Sequence, residues 1–172
     1  MKKITNKKFN KLVEKELKLF EKAKGAPLTR QSKATKRGTL LEDVAVKLLK
    51  AHPNVKSIET QVFKEEVDEF SLIDIVVHTQ AGNTVYIPVA RDLWLGTSQQ
   101  DRLHNQTLKY KSGILDKYNY CYLVGDDFAP FVKQKCKKGS RKKPTVQGWV
   151  KKLSKAKMLH TFESLWLHLA TL

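Results

Sequence analysis

The chain has 172 residues, 41% of them apolar, and carries 33 Lys and Arg against 17 Asp and Glu, a formal charge of +16. That length suits one compact domain with an appended terminal element, and the positive surplus points to a polyanion, nucleic acid before an anionic membrane surface. Two cysteines are too few for a disulfide framework, and no run reaches the ~18 apolar residues of a membrane span. Met1-Lys2-Lys3 opens on charge without an apolar run behind it, so no secretory signal is expected and an intracellular, cytoplasmic setting follows.

Residues 1–27 read as a basic, amphipathic helical element. Phe9, Leu12, Val13, Leu17 and Phe20 recur at three- and four-residue spacing over residues 6–24, and Gly25-Ala26-Pro27 ends the pattern. Residues 28–37 are polar and basic without periodicity, which predicts a linker. Residues 38–172 then form the main α/β domain. Leu41, Val44, Ala45 and Leu48 mark a helix from Gly38 to Ala51. Residues 55–63, 72–79 and 84–91 read as strands, the last two joined by a turn at Ala81-Gly82-Asn83. A helix over 100–117 leads to Asn119-Tyr-Cys-Tyr-Leu-Val124, the profile of a central strand. A short helix near 129–137, a basic run over 137–143, a segment over 146–153 and a last helix over 162–169 complete the order. Helices alternating with strands predict a sandwich around a central mixed sheet.

Acidic residues inside this scaffold carry the candidate chemistry. Phosphodiester hydrolysis at neutral pH needs a metal-bound hydroxide and charge neutralisation at the phosphate, so carboxylates must converge on one point. Asp74 interrupts the apolar run Leu72-Ile73-x-Ile75-Val76-Val77, where a carboxylate is costly unless paired. Glu42 borders the apolar stripe of its helix and can lean over the sheet. Cys121 reads as a small buried hydrophobe, and the five His show no metal-ligand spacing.

Three segments together, Arg37-Gly38-Thr39-Leu40-Leu41-Glu42, Ile73-Asp74-Ile75-Val76-Val77 and Val85-Tyr86-Ile87-Pro88-Val89-Ala90, resemble the PD-(D/E)xK nuclease superfamily. That superfamily includes restriction endonucleases and archaeal-type Holliday junction resolvases. The resemblance covers roughly residues 37–124 and rests on short motifs. It implies a restriction-endonuclease-like α/β sandwich, with Glu42 and Asp74 as catalytic ligands of Mg2+. It also implies a second carboxylate at position 88 and a lysine at position 90, where this chain has Pro88 and Ala90. Three explanations compete: a lysine replaced at position 90 to silence the site, groups migrated to Arg91 or Asp92, or a relative that only binds. Alternation puts Asp92 on the face of Pro88 and Ala90, and Arg91 on the other.

The same resemblance implies a homodimeric, sequence-specific type II enzyme of a prokaryotic or viral setting, acting on double-stranded DNA. A resolvase acting on branched DNA is the alternative, and a catalytically dead DNA-binding module the next. An RNA-binding protein without nuclease ancestry is a further reading. Gln99, Gln100, Arg102 and Asn105 are side-chain types that read base edges. Gln106 and Tyr110, four apart on one helix face, stand where some relatives contact DNA. Lys137, Lys138, Arg141, Lys142, Lys143, Lys151 and Lys152 form the densest positive region, of the kind that clamps phosphates without reading sequence.

Overall fold

The computed structural model describes residues 4–90, 96–125, 128–133 and 142–172, with the backbone alone of residues 69–71, 96–100, 131–132 and 142–144. Helix α1 (Asn6–Lys24) starts at Thr5, whose hydroxyl accepts the Lys8 N–H, and ends at Gly25, where φ of +72° suits a residue without Cβ. Its Phe9, Val13 and Leu17 are buried, a stripe with the four-residue step of one helix face.

Helix α2 (Arg30–Leu49) begins eight residues before Gly38, inside the stretch that aperiodicity marks as a linker. Thr29 provides the start, its hydroxyl accepting the Ser32 N–H at 3.3 Å. Arg37 then pairs with Glu14 of α1 at 2.7 Å. Residues 30–37 include no buried position, so no apolar stripe announces these turns. A cap and a neighbouring helix make this segment helical.

Strands β1 (Val55–Lys64), β2 (Asp68–Thr79) and β3 (Thr84–Ile87) run antiparallel in that order. The turn between β2 and β3 holds Gly82 at φ +88°. Pro88 has no N–H for the ladder and interrupts the chain's path before β4 (Val89–Ala90). Helix α3 (Gly96–Lys111) and a 3-10 turn (Ile114–Lys117) lead to β5 (Asn119–Tyr120), parallel to β3, and β6 (Tyr122–Val124), parallel to β4. The ladder is continuous across both interruptions. Cys121 N–H donates to Tyr86 O at 2.9 Å, Leu123 N–H to Pro88 O at 2.9 Å, and Gly125 N–H to Ala90 O at 2.8 Å.

Helices α4 (Ala129–Lys133) and α5 (Lys142–Lys155) follow, then β7 (Leu159–His160), parallel to β6, and α6 (Phe162–Leu169). The segment 146–153 is therefore the body of α5. Beyond Lys133, the helix expected to 137 lies outside the described residues. One apolar cluster joins α1, α2 and α6 to Ile75, Val77, Val85, Ile87, Cys121 and Leu123. Another joins α3 and α5 to Val76, Tyr120, Tyr122 and Val124. Alternation along residues 120–124 puts the two clusters on opposite faces, so helices cover both sides of a mixed sheet.

Candidate functional site

Asp74 sits on β2 between Ile73 and Ile75, both fully buried. Continuing the β2–β3 register one step past Ile75↔Ile87 places it opposite Pro88. The ladder there lacks a proline N–H, and the Asp74 side chain takes up the next one. Its Oδ2 accepts the Val89 N–H at 2.6 Å. The aspartate is thus tied to the β3–β4 junction by its carboxylate.

A cation lies beside it. Arg102 of α3 places Nη1 3.8 Å from Asp74 Oδ2 and Nε 3.0 Å from Asp68 Oδ2. Asp68 opens β2 six residues before Asp74, across an irregularity in the β1–β2 register, and Arg102 reaches both carboxylates. The Asp68 side chain is 4% exposed, so the ion pair is desolvated on its acidic side.

Glu42 reaches the same place from α2. The link is Gln61, whose amide donates to Glu42 Oε2 at 3.4 Å and also hydrogen-bonds to the Asp74 carboxylate. On β1, Gln61 falls between the pairs Thr60↔Ile75 and Val62↔Ile73, across from Asp74. Its φ is +56°, a left-handed conformation that side chains rarely adopt and that costs about 1 kcal/mol. Strain of this kind, held in place by surrounding structure, clusters at functional sites.

Burial, Asp74 and Asp43 together push the Glu42 carboxyl up to about 7, and Arg102 pulls it back only in part. Burial also raises Asp74, against the Val89 N–H, Arg102 and Gln61, which favour its anion. The site is therefore a pair of hard oxygen donors that repel one another near neutral pH. That donor chemistry fits Mg2+ or Mn2+, which take carboxylate oxygens, and does not fit a thiophilic ion. Pro88 and Ala90 are both buried and contribute no donor. Ala90 belongs to the apolar cluster beneath α3.

The expected base-reading residues divide. Arg102 turns inward to the two aspartates, so it is unavailable as a groove reader. Gln106 is buried and donates to Val67 O at 3.1 Å, holding the β1–β2 connection to α3. Tyr110 is half-buried against the same apolar cluster, and Asn105 is half-buried. Lys151 and Lys152 are exposed on α5. The side chains of Gln99, Gln100, Lys142 and Lys143 are not described, and Arg91, Asp92, Lys137, Lys138 and Arg141 lie outside the described residues.

A basic surface that the motifs did not mark lies on α1. Lys7, Lys11, Lys15, Lys18 and Lys22 line an open groove with Asn10, Glu14 and Leu19. Asn10 Nδ2 donates to Gly125 O at 3.1 Å, and Gly125 in turn bonds to Ala90. The lysine-bearing helix is therefore fastened beside the ends of β4 and β6. Its three- and four-residue lysine spacing is legible in the chain, as are the two acids of β2 six residues apart. Gln61 has no local signal. No family model, curated protein or solved structure matches the chain.

Proposed function

We propose that the protein is a Mg2+-dependent endonuclease of the restriction-endonuclease-like fold acting on double-stranded DNA. The observation that carries this reading is the convergence of Glu42 and Asp74, 32 positions apart in the chain, on one glutamine amide beside a half-buried arginine. Glu42 and Asp74 would hold the ion. When bound, the ion would neutralise charge on the phosphate and lower the pKa of a water molecule.

The chain's own residues have separate tasks. Val89 N–H and Gln61 orient the two carboxylates. Arg102 favours the Asp74 anion against the effect of burial and supplies, from α3, positive charge near the place where the resemblance implies a lysine. The α1 lysines and Lys151 and Lys152 of α5 would attract the phosphate backbone without reading bases. A homodimer would give two-fold symmetric sites.

One observation favours the reading of a protein that binds without cutting. Ala90 is 3% exposed within an apolar cluster, and Pro88 is buried, so neither position offers a reactive group. The test is cleavage of supercoiled plasmid and of a four-way junction in Mg2+, by the chain and by its Ala90→Lys and Asp74→Asn forms. Cutting that Asp74→Asn abolishes supports the nuclease. If only Ala90→Lys cuts, the site is silenced at that position; junction cutting alone means a resolvase. Salt-sensitive binding with no cutting by any form means a binder.

A further inference from the structure

We propose a second metal site, for Zn2+ or an ion of similar softness, formed by Cys121, His160 and His168. It lies on the face of the sheet covered by α6, and it is independent of the carboxylate site. Nothing in the spacing of these residues announces it. Parallel pairing of β6 with β7 sets His160 beside Leu123, and Leu123 shares a face with Cys121 by alternation. Helix α6 then runs back across β6 and β7 and brings His168 over them.

One donor atom from each residue, the Cys121 sulfur and a ring nitrogen from each histidine, lies within 4.8 Å of the other two. A tetrahedral site with Zn–N and Zn–S bonds of about 2.0–2.3 Å places its donors roughly 3.5 Å apart. The observed spacing needs only a small contraction. Cys121 and His160 are buried and His168 is half-buried, so the site has two interior ligands and one that borders solvent.

His160 is held in the form a metal requires. Its Nε2 is 2.8 Å from Lys157 O, and a carbonyl can only accept, so the proton sits on Nε2 and Nδ1 keeps its lone pair. A ring N–H donated to a backbone carbonyl is the usual way of orienting a histidine ligand. Ser164 Oγ is 3.2 Å from Nδ1 and 3.1 Å from Thr161 O. Its single proton can turn to Thr161 when Nδ1 binds a metal, so no hydrogen bond is orphaned. The rings of His160 and His168 stack with centroids 5.2 Å apart.

At the two histidines the electrostatics agree with that geometry, and at Cys121 burial opposes the thiolate that the metal must displace a proton to form. Burial and then His168 push His160 down to about 4, and burial and then Lys157 lower His168. Both imidazoles are therefore neutral near pH 7. Burial alone drives the Cys121 thiol up to about 12. Binding releases the Cys121 proton to solvent as the sulfur–metal bond forms. A set of two nitrogens and one sulfur selects Zn2+ over Mg2+ or Ca2+, and water at the His168 side completes four-coordination. Such an ion would fasten the C-terminal helix to the inner strands.

The probe is Co2+, titrated into the full chain and then displaced by Zn2+. One equivalent should bind with a thiolate-to-cobalt charge-transfer band, with tetrahedral visible absorption, and with release of about one proton. Cys121→Ser should remove that band. Because Cys121 is buried, the deciding variant is His168→Ala, checked for folding by circular dichroism. It should bind at least about tenfold more weakly. Zn2+ should raise the melting temperature of the parent and not of this variant, and Mg2+ should raise neither through these residues. Cobalt binding without a thiolate band, or a band and a melting shift unchanged in His168→Ala, would overturn the proposal.

Discussion

Asp68 and Arg102 stand 3.0 Å apart with the aspartate almost wholly buried, so deleting the guanidinium takes a charged partner away from a desolvated carboxylate. Arg102→Ala should destabilise the fold by about 3 kcal/mol in urea unfolding, and Asp68→Asn in that background should recover part of the loss. A loss below about 0.5 kcal/mol, the range of an ordinary surface change, would mean that the pair is solvent-screened. Glu42 makes the opposite kind of statement. Its folded carboxyl is raised to about 7 from 4.5, so the folded chain holds a proton that the unfolded chain releases in between. Stability should be greatest below pH 4.5 for this group and fall as pH rises to about 7, by on the order of 1 kcal/mol after allowance for its partial exposure. Glu42→Gln should remove that slope, and melting temperatures at several pH values would show it.

At the scale of elements, strands and apolar-striped helices were legible, and what depended on a neighbour was not. The last helix, 162–169, agrees with α6 to the residue because Phe162, Leu165, Trp166 and Leu169 form its buried face. The start of α2 was hidden because residues 30–37 bury nothing and take their order from Thr29 and from α1. Thr29→Ala should therefore cost about 1 kcal/mol in thermal or denaturant unfolding, the usual loss of an N-cap. A linker that orders nothing would be indifferent to that change. The site follows the same logic. Asp74 and Glu42 can be read from an acid among apolar neighbours and an acid at a stripe's edge. Gln61 becomes visible only when β1 is laid against β2. Gln106, an apparent DNA-facing residue, has the polarity of a surface group and is buried because Val67 O needs its donor.

For the whole molecule, the charge of +16 is not spread evenly. Five α1 lysines line one groove, and Asn10 on the same helix bonds to Gly125 at the end of β6. An acidic pair beside a basic face is an unfavourable place for a phosphate until a cation joins the carboxylates. Neutralising Lys11, Lys15 and Lys18 together should weaken binding to duplex DNA of any sequence. It should also flatten the dependence of log K on log salt by roughly one unit for each phosphate that these lysines no longer neutralise. Unchanged affinity and slope would place the DNA elsewhere on the surface.

Affinity for a duplex by fluorescence anisotropy, with Mg2+ and with EDTA, for the parent and for the Glu42→Gln, Asp74→Asn double variant, tests the central claim directly. The readout does not require cutting, so it applies whether or not Ala90 silences the site; Ca2+ replaces Mg2+ if the DNA is cleaved. The account predicts a crossing. In EDTA the double variant binds more tightly, because two carboxylates no longer repel the phosphates; with Mg2+ the parent gains affinity and the variant does not. Equal responses of the two proteins to Mg2+ would show that Glu42 and Asp74 do not hold a metal against DNA.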